Sequence, residues 1–95
     1  MLFHILCLDK PDSAAIRSAN RAAHLAYLER SADTIFAAGP LLSDDGSAMI
    51  GSVLIVEQPD RAALDAFCAA DPYAQAGLFA SVTIRPWRRV FPKAV

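Results

Sequence analysis

The 95-residue chain contains four strand-like segments and two helix-like segments, and their order constrains the fold more than any single motif does. A continuous apolar run bounded by turn residues is typical of a buried strand, whereas apolar residues three and four positions apart are typical of a helix. The pattern predicts strands over residues 2–9, 34–38, 48–57 and 78–90, helices over 14–32 and from Asp60 to Asp71, and a turn or short helix over 73–77. Residues 34–57 are predicted to form a hairpin, with Gly39-Pro40 ending its first strand.

The resulting order, strand-helix-strand-strand-helix-strand, predicts an α+β domain of the ferredoxin-like βαββαβ type. Right-handed connections turn this order into a four-stranded antiparallel sheet with both helices on one face. The other face of that sheet has no cover within the chain, although residues 2–8 are almost entirely apolar. A second copy of the chain is the simplest cover, so we expect a homodimer.

Length and charge limit the class of protein. Ninety-five residues are enough for one small core, so we expect a single domain over residues 1–95. Hydrophobic residues make up 55% of the chain, and the mean hydropathy of +0.32 is high for so small a protein, which again favours a subunit interface. A net charge of −1 disfavours nucleic-acid binding, and the sequence has no aromatic motif of an RNA-binding sheet.

The sequence contains no motif of a metal, phosphate-loop or redox site. Cys7 and Cys68 belong to no CxxC or Cys/His cluster, so we expect two free structural thiols and neither a metal nor a cofactor. The apolar start of the chain is too short to span a bilayer and no basic segment precedes it. We therefore expect a cytoplasmic protein that does not bind membranes.

His24 is the best candidate for acid–base chemistry, because an imidazole can both give and take a proton near neutral pH. It lies on the polar strip of the first predicted helix, near Arg17, Asn20 and Arg21 in projection. Asp71 ends the second predicted helix, and side-by-side packing of the two helices would let its carboxylate orient the His24 ring. The pattern alone favours the structural interpretation, a surface histidine and a helix-ending aspartate, over a catalytic pair.

Several short segments also fall in the order and spacing of a known family. They are His24-Leu25-Ala26-Tyr27-Leu28, Ala38-Gly39-Pro40-Leu41, Asp45-Gly46, Gly51-Ser52, Asp71-Pro72-Tyr73, Ala76-Gly77-Leu78 and Arg85-Pro86-Trp87. Through these segments the chain resembles the YCII (YciI-like) family over nearly its whole length. The resemblance implies a ferredoxin-like dimer of the dimeric α/β-barrel superfamily, with the two sheets facing each other. It also implies an active site with a paired His and Asp, which match His24 and Asp71.

With this resemblance, the residues predict a small cofactor-independent enzyme in which His24 shuttles a proton and Asp71 orients the ring. The expected reaction is an elimination, isomerisation or similar acid–base step on a small organic molecule. The substrate-binding candidates are Gly39 and Pro40 as a rigid pocket wall, Tyr73 as an aromatic face with a hydroxyl, and Arg21 as the partner of an anionic group. The alternative is a non-catalytic dimer that binds a metabolite or stabilises a partner, with the pair only structural.

Overall fold

Residues 1–93 fold into four strands and three α-helices in the predicted order. The computed structural model describes residues 1–93, so the last two residues of the expected 1–95 domain lie outside the described part. The elements are β1 (Leu2–Asp9), α1 (Ala14–Arg30), β2 (Ile35–Leu42), β3 (Met49–Glu57), α2 (Arg61–Ala69), α3 (Pro72–Gln75) and β4 (Phe79–Trp87), with a 3-10 turn (Ala32–Thr34) before β2. Within residues 1–93, none of the helices combines the length and the apolar character that a membrane span requires.

The four strands form one antiparallel sheet in the order β2-β3-β1-β4. Ile5 in the middle of β1 lies opposite Leu54 of β3 and Ile84 of β4, so the most continuously apolar strand is an interior strand. This strand order, with α1 and α2 as the connections, confirms the predicted ferredoxin-like α+β fold. Helix α3 is a third, four-residue helix in the region where a turn or short helix was predicted.

The hydrophobic core lies on one face of the sheet, beneath the helices. Alternate residues of β1 are buried, as expected when only one face of a strand is covered. The buried cluster comprises Phe3, Ile5, Cys7, Leu54, Val56, Leu64, Phe67 and Ile84, and Tyr27, Leu28, Ile35, Cys68 and Phe79 pack against it. Tyr27 also donates its hydroxyl hydrogen to the carbonyl oxygen of Phe67 at 2.8 Å, which ties α1 to α2.

The prediction that Gly39-Pro40 ends the second strand is wrong. β2 continues through both residues to Leu42, and Pro40 lies opposite Ser52 of β3. Proline is tolerated here because β2 is an edge strand, where the N–H groups on one side have no partner strand. Several predicted ends also shift by one to three residues, since α1 stops at Arg30, α2 stops at Ala69 and β4 spans Phe79–Trp87.

Two residues of the polar strip of α1, Arg17 and His24, face the interior, whereas Arg21 is exposed, and this corrects the interpretation of His24 as a surface residue. His24 is 7% exposed and Arg17 is 6% exposed. Burying the methyl group of an alanine contributes little free energy. An alanine-rich helix therefore has only a weak preference for burying its apolar side rather than its polar side. Polar groups can be buried instead when each has a hydrogen-bonding partner, and both of these side chains do.

Gly51 in β3 marks a close approach of two strands. A Cβ atom at this position would overlap the carbonyl oxygen of Cys7 on β1, so a larger residue would require the backbone to shift. The approach matters for the site because the next residue, Ser52, is buried beside α1 and contacts Arg17.

Candidate active site

His24 and Asp71 meet at the centre of the candidate site. The Nδ1 atom of His24 lies 2.8 Å from Oδ1 of Asp71, although the two residues are 47 positions apart in the sequence. Helix α1 carries His24, and Asp71 is the N-cap residue of α3, directly after α2. Both side chains are buried, so little water competes for the hydrogen bond between them. The fold therefore brings together the two residues that the sequence predicts as a pair.

A second hydrogen bond holds the carboxylate of Asp71. Its Oδ1 atom also accepts from the backbone N–H of Tyr73 at 2.9 Å, which is the N-cap hydrogen bond of α3. Pro72 occupies the first turn of this helix, where its missing N–H would have no intrahelical partner. The local backbone thus fixes the direction in which the carboxylate points.

The pairing determines which nitrogen of the neutral His24 ring carries the proton. An ionised carboxylate can only accept hydrogen bonds, so Nδ1 donates and Nε2 keeps its lone pair. In this tautomer Nε2 is able to take a proton from a molecule in an adjoining cavity. The arrangement contains the two components of a general base, a basic nitrogen and a group that orients the ring.

Tyr73 forms an aromatic wall beside the imidazole. The rings of His24 and Tyr73 stack with centroids 4.0 Å apart and an angle of 16° between their planes. Burial raises the pKa of the Tyr73 hydroxyl, while the nearby cations Arg17 and Arg21 lower it by a smaller amount. The hydroxyl is therefore protonated at neutral pH and available as a hydrogen-bond donor.

Arg17 belongs to the same site, and sequence reasoning assigned it no role. Its Nε atom donates to Oδ2 of Asp9 at 2.7 Å and its Nη2 atom donates to Oδ1 at 2.9 Å, and these hydrogen bonds raise the pKa of Arg17. The Cζ atom of Arg17 also lies 4.7 Å from the centre of the Tyr73 ring. Its spacing was an available signal, because Arg17 precedes His24 by about two helical turns and shares its face.

Ser52 is the second residue that sequence reasoning missed. Its Oγ atom accepts a hydrogen bond from Nη2 of Arg17 at 3.0 Å, and its side chain lies among buried groups. No base stands near Ser52 along the chain, so the sequence suggests no catalytic role for it. The register of the sheet, which places Ser52 between Cys7 and Pro40 of the neighbouring strands, brings it to the site.

A cavity of about 130 Å³ opens beside His24. Its polar lining is Arg21, His24, Ser52 and Tyr73, and the remainder of its lining is Leu25, Leu28, Ala38, Gly39, Pro40, Met49 and Leu54. The volume is close to the roughly 150 Å³ of an engineered cavity that binds benzene. A molecule with a single aromatic ring therefore matches the size of the cavity.

The other predicted site residues line this cavity in different ways. Arg21 is exposed and forms no ion pair with another of residues 1–93, so its charge is available to an anionic ligand. Pro40 lies opposite Ser52 and shares its face of the sheet. Gly39 lies opposite Val53, so a side chain at position 39 would project to the other face and Gly39 lines the cavity with its backbone.

Cys7 and Cys68 are free thiols. Burial raises the pKa of Cys7 to about 12 and that of Cys68 to about 11, so both remain protonated at neutral pH. Neither belongs to a metal-binding group, since the part of the chain that the structure describes holds no cluster of three His, Cys, Asp or Glu residues arranged for a metal ion.

Comparison with known sequences gives a consistent match along most of the chain. The YCII-related domain family matches residues 1–88. Protein YciI of Escherichia coli O6:H1 is 38% identical to the chain, and an uncharacterised protein of Haemophilus influenzae is 31% identical. Both alignments cover 96% of this chain and 100% of the other protein.

Comparison with solved structures also gives a neighbour that is 40% identical to this chain. The structure of 5-chloro-2-hydroxyhydroquinone dehydrochlorinase from Burkholderia phenoliruptrix AC1100, in complex with 2,5-dihydroxybenzoquinone, has a TM-score of 0.86 and 40% identity, and covers 93% of this chain and 94% of that chain. The cofactor-independent oxygenase SnoaB from Streptomyces nogalater has a TM-score of 0.59 and 16% identity over 97% of each chain. The second likeness supports the fold alone.

Proposed function

The chain belongs to the YCII-related domain family, and on that premise we propose that it is a cofactor-independent enzyme that eliminates HCl from a small hydroxylated aromatic molecule. His24 is the general base and Asp71 orients it. The observation that carries the proposal is the buried His24–Asp71 hydrogen bond beside a cavity that matches a single ring in size. The dehydrochlorinase at 40% identity, with its bound dihydroxybenzoquinone, supports an elimination rather than an isomerisation.

The reaction balances without a redox partner. In a chlorinated trihydroxybenzene, transfer of one hydroxyl proton to the carbon that bears chlorine gives a ketone tautomer of the ring. Nε2 of His24 then takes the proton of a second hydroxyl, a second C=O bond forms, and chloride leaves with the electron pair of the C–Cl bond. The net change is the loss of HCl and the formation of a hydroxyquinone, with no electrons gained or lost.

The lining of the cavity supports a substrate of this kind. The ring of Tyr73 and the apolar side chains offer contacts to an aromatic ring. Arg21 offers a cation to an ionised ring oxygen, and such an oxygen is generated when His24 removes a hydroxyl proton. The residues proposed from the sequence thus have distinct roles, with His24 and Asp71 in proton transfer and the others in binding.

Chloride release from 5-chloro-2-hydroxyhydroquinone tests the proposal. The wild-type protein should accelerate release above the spontaneous rate, and His24→Asn should lower the rate by roughly a hundredfold or more, since that is the typical contribution of a general base. Asp65→Asn, which removes an exposed carboxylate on α2, is the control and should keep the wild-type rate. Equal rates for His24→Asn and wild type would contradict the proposal. Binding of 2,5-dihydroxybenzoquinone without any chloride release would favour the non-catalytic alternative.

We also propose that the chain acts as a homodimer with the sheets facing each other. Leu6 of β1 lies opposite Val53 of β3, on the face of the sheet opposite the buried residues Ile5 and Leu54. Both side chains are half-buried within a single chain. The large apolar side chain of Phe36 is also 48% exposed, as expected of a residue that an interface with another chain would cover.

A further inference from the structure

We infer that Ser52 is a substrate-binding residue, whose hydroxyl donates a hydrogen bond to an ionised oxygen of the ring that is held beside His24. The inference rests on the proposed function, because it names the group that receives the negative charge when His24 takes a hydroxyl proton. Nothing in the local sequence assigns this role to a serine in the middle of a strand.

Ser52 lies where a substrate-binding hydroxyl is needed, at the wall of the cavity beside His24. Its side chain lines the same cavity as His24 and Tyr73, and only 3% of the residue is exposed. A hydroxyl in such a place has few water molecules to bind, so a hydrogen bond to a ligand is not weakened by competition with bulk water. The serine is also held on an interior strand, between β1 and β2, rather than on a loop.

The hydrogen bond from Arg17 determines what the Ser52 hydroxyl has left to offer. A serine hydroxyl has one hydrogen to donate and two lone pairs that accept. Nη2 of Arg17 occupies one lone pair, and a guanidinium has no acceptor that could take the hydroxyl hydrogen in return. Among residues 1–93, no atom accepts the hydroxyl hydrogen of Ser52. The cavity is therefore where a ligand oxygen can accept it.

Arg17 is itself held rigidly and acts on the ligand through Ser52. Two hydrogen bonds to Asp9 form a paired, planar contact, and the guanidinium also packs on the Tyr73 ring. A donor from a cation polarises the Ser52 hydroxyl and makes it a better donor. Arg17 is thus a positioning residue, whereas Ser52 contacts the substrate.

In the proposed elimination, the Ser52 hydroxyl stabilises a negative charge that forms on the substrate. When Nε2 of His24 takes a hydroxyl proton, the ring oxygen becomes an anion until chloride leaves. A fixed donor aimed at that oxygen stabilises the developing charge without any reorganisation of the site. With Ser52 in this role, we expect the protein to prefer substrate rings that carry an ionisable hydroxyl in addition to the leaving group.

Calorimetric titration with 2,5-dihydroxybenzoquinone tests the inference, because this hydroxyquinone ionises and presents anionic oxygens. Ser52→Ala should weaken binding by roughly ten- to a hundredfold, the range for loss of one hydrogen bond to a charged group. Ser52→Cys fills the position with a slightly larger group that is a poor donor, and should weaken binding to a similar extent. Ser13→Ala is the matched control, since Ser13 is also a buried serine but its hydroxyl donates to the carbonyl oxygen of Lys10. The Ser13→Ala variant should bind 2,5-dihydroxybenzoquinone with the same affinity as the wild type.

The possible results separate this inference from the proposed function. If His24→Asn weakens binding while Ser52→Ala and Ser52→Cys bind as tightly as the wild type, the role of Ser52 is wrong and the proposed function stands. If the wild type binds no hydroxyquinone and releases no chloride, both are wrong. A thermal melt of each variant distinguishes lost affinity from lost folding, and Ser52→Cys leaves no empty space at position 52 should the alanine variant unfold.

Discussion

The carboxylate of Asp71 serves two donors with one oxygen, the Nδ1–H of His24 at 2.8 Å and the backbone N–H of Tyr73 at 2.9 Å. The first bond orients the imidazole, and the second caps helix α3. Because both donors meet the same oxygen, the carboxylate cannot rotate away from His24 without also uncapping the helix. This coupling makes the N-cap residue of α3 part of the candidate site, and it fixes the ring orientation that the proposed proton transfer requires.

Breaking the buried ion pair between Arg17 and Asp9 should cost much more stability than breaking the exposed pair between Arg61 and Asp65. The side chains of the first pair are 7% and 6% exposed, and those of the second are 55% and 56% exposed. Asp9→Asn leaves a buried cation without its charge partner and should lower the free energy of unfolding by about 3 kcal/mol. Asp65→Asn should lower it by less than about 0.5 kcal/mol. Urea unfolding measures both values, and equal losses would contradict the burial of the first pair.

The two cysteines should react slowly with thiol reagents in the folded protein. Burial raises the pKa of Cys7 from 9.0 to about 12 and that of Cys68 from 9.0 to about 11. Because the thiolate is the reactive form, its fraction at pH 8 falls by roughly a thousandfold for Cys7 and a hundredfold for Cys68. Alkylation followed by mass spectrometry should therefore find Cys68 modified before Cys7. Rates that match those of the urea-unfolded chain would show that neither thiol is protected.

The turn between β2 and β3 should keep its structure in acid until well below the usual range for aspartate. Asp45 accepts hydrogen bonds from the backbone N–H and hydroxyl of Ser47 and from the hydroxyl of Ser43, and these lower its pKa from 3.8 to about 2. A lowered pKa in the folded state means that the stabilisation is complete above pH 3.8 and is lost as the pH falls through about 2. Carbon NMR of the carboxyl group should give a midpoint near 2.

Removing one of these donors should shift that midpoint upward. Ser47→Ala deletes the hydroxyl donor but keeps the backbone N–H, so the Asp45 midpoint should move part of the way toward 3.8. Ser18→Ala, on the exposed side of α1, is the control and should leave it unchanged. A wild-type midpoint close to 3.8 would mean that the hydrogen bonds of the turn do not form in solution.

A charge on the uncovered face of the sheet should separate the proposed dimer. Val53 lies on that face between Leu6 and Gly39, so a lysine there would place its ammonium group in the interface. Sedimentation equilibrium should give twice the 10.2 kDa chain mass for the wild type and a single chain mass for Val53→Lys. Ser18→Lys adds the same charge on α1 and should remain dimeric. A wild-type mass of one chain would refute the dimer.

The order of the elements could be predicted because each element leaves a local signal. Asp60 caps α2 by accepting from the N–H of Ala63, and Asp71-Pro72 separates α2 from α3, as their residue types indicate. The pairing of His24 with Asp71 required the resemblance as well, because periodicity alone favoured a surface histidine. The inward side of α1 could not be read from its pattern, since alanine provides little hydrophobic contrast.

The Arg17–Ser52 part of the site has no comparable local signal. Ser52 reaches Arg17 only through the register of β3 against its neighbours, and register is a property of the whole sheet. Sequence reasoning also treats a helical arginine as a surface residue by default, because an unpaired buried cation is costly. Asp9, at the end of β1, removes that cost here by pairing with it.

The proposed role of His24 as a base depends most directly on the tautomer of its ring. Nitrogen NMR of protein labelled at histidine nitrogens assigns the ring proton directly, and His4, on the other face of the sheet, provides an internal comparison. If Asp71 orients His24 as a base, the neutral His24 ring should carry its proton on Nδ1, with the lone pair on Nε2, and Asp71→Asn, whose amide can donate as well as accept, should reduce this preference. A neutral wild-type ring with its proton on Nε2 would contradict this role, because the nitrogen that is not bonded to Asp71 would then be unable to act as a base.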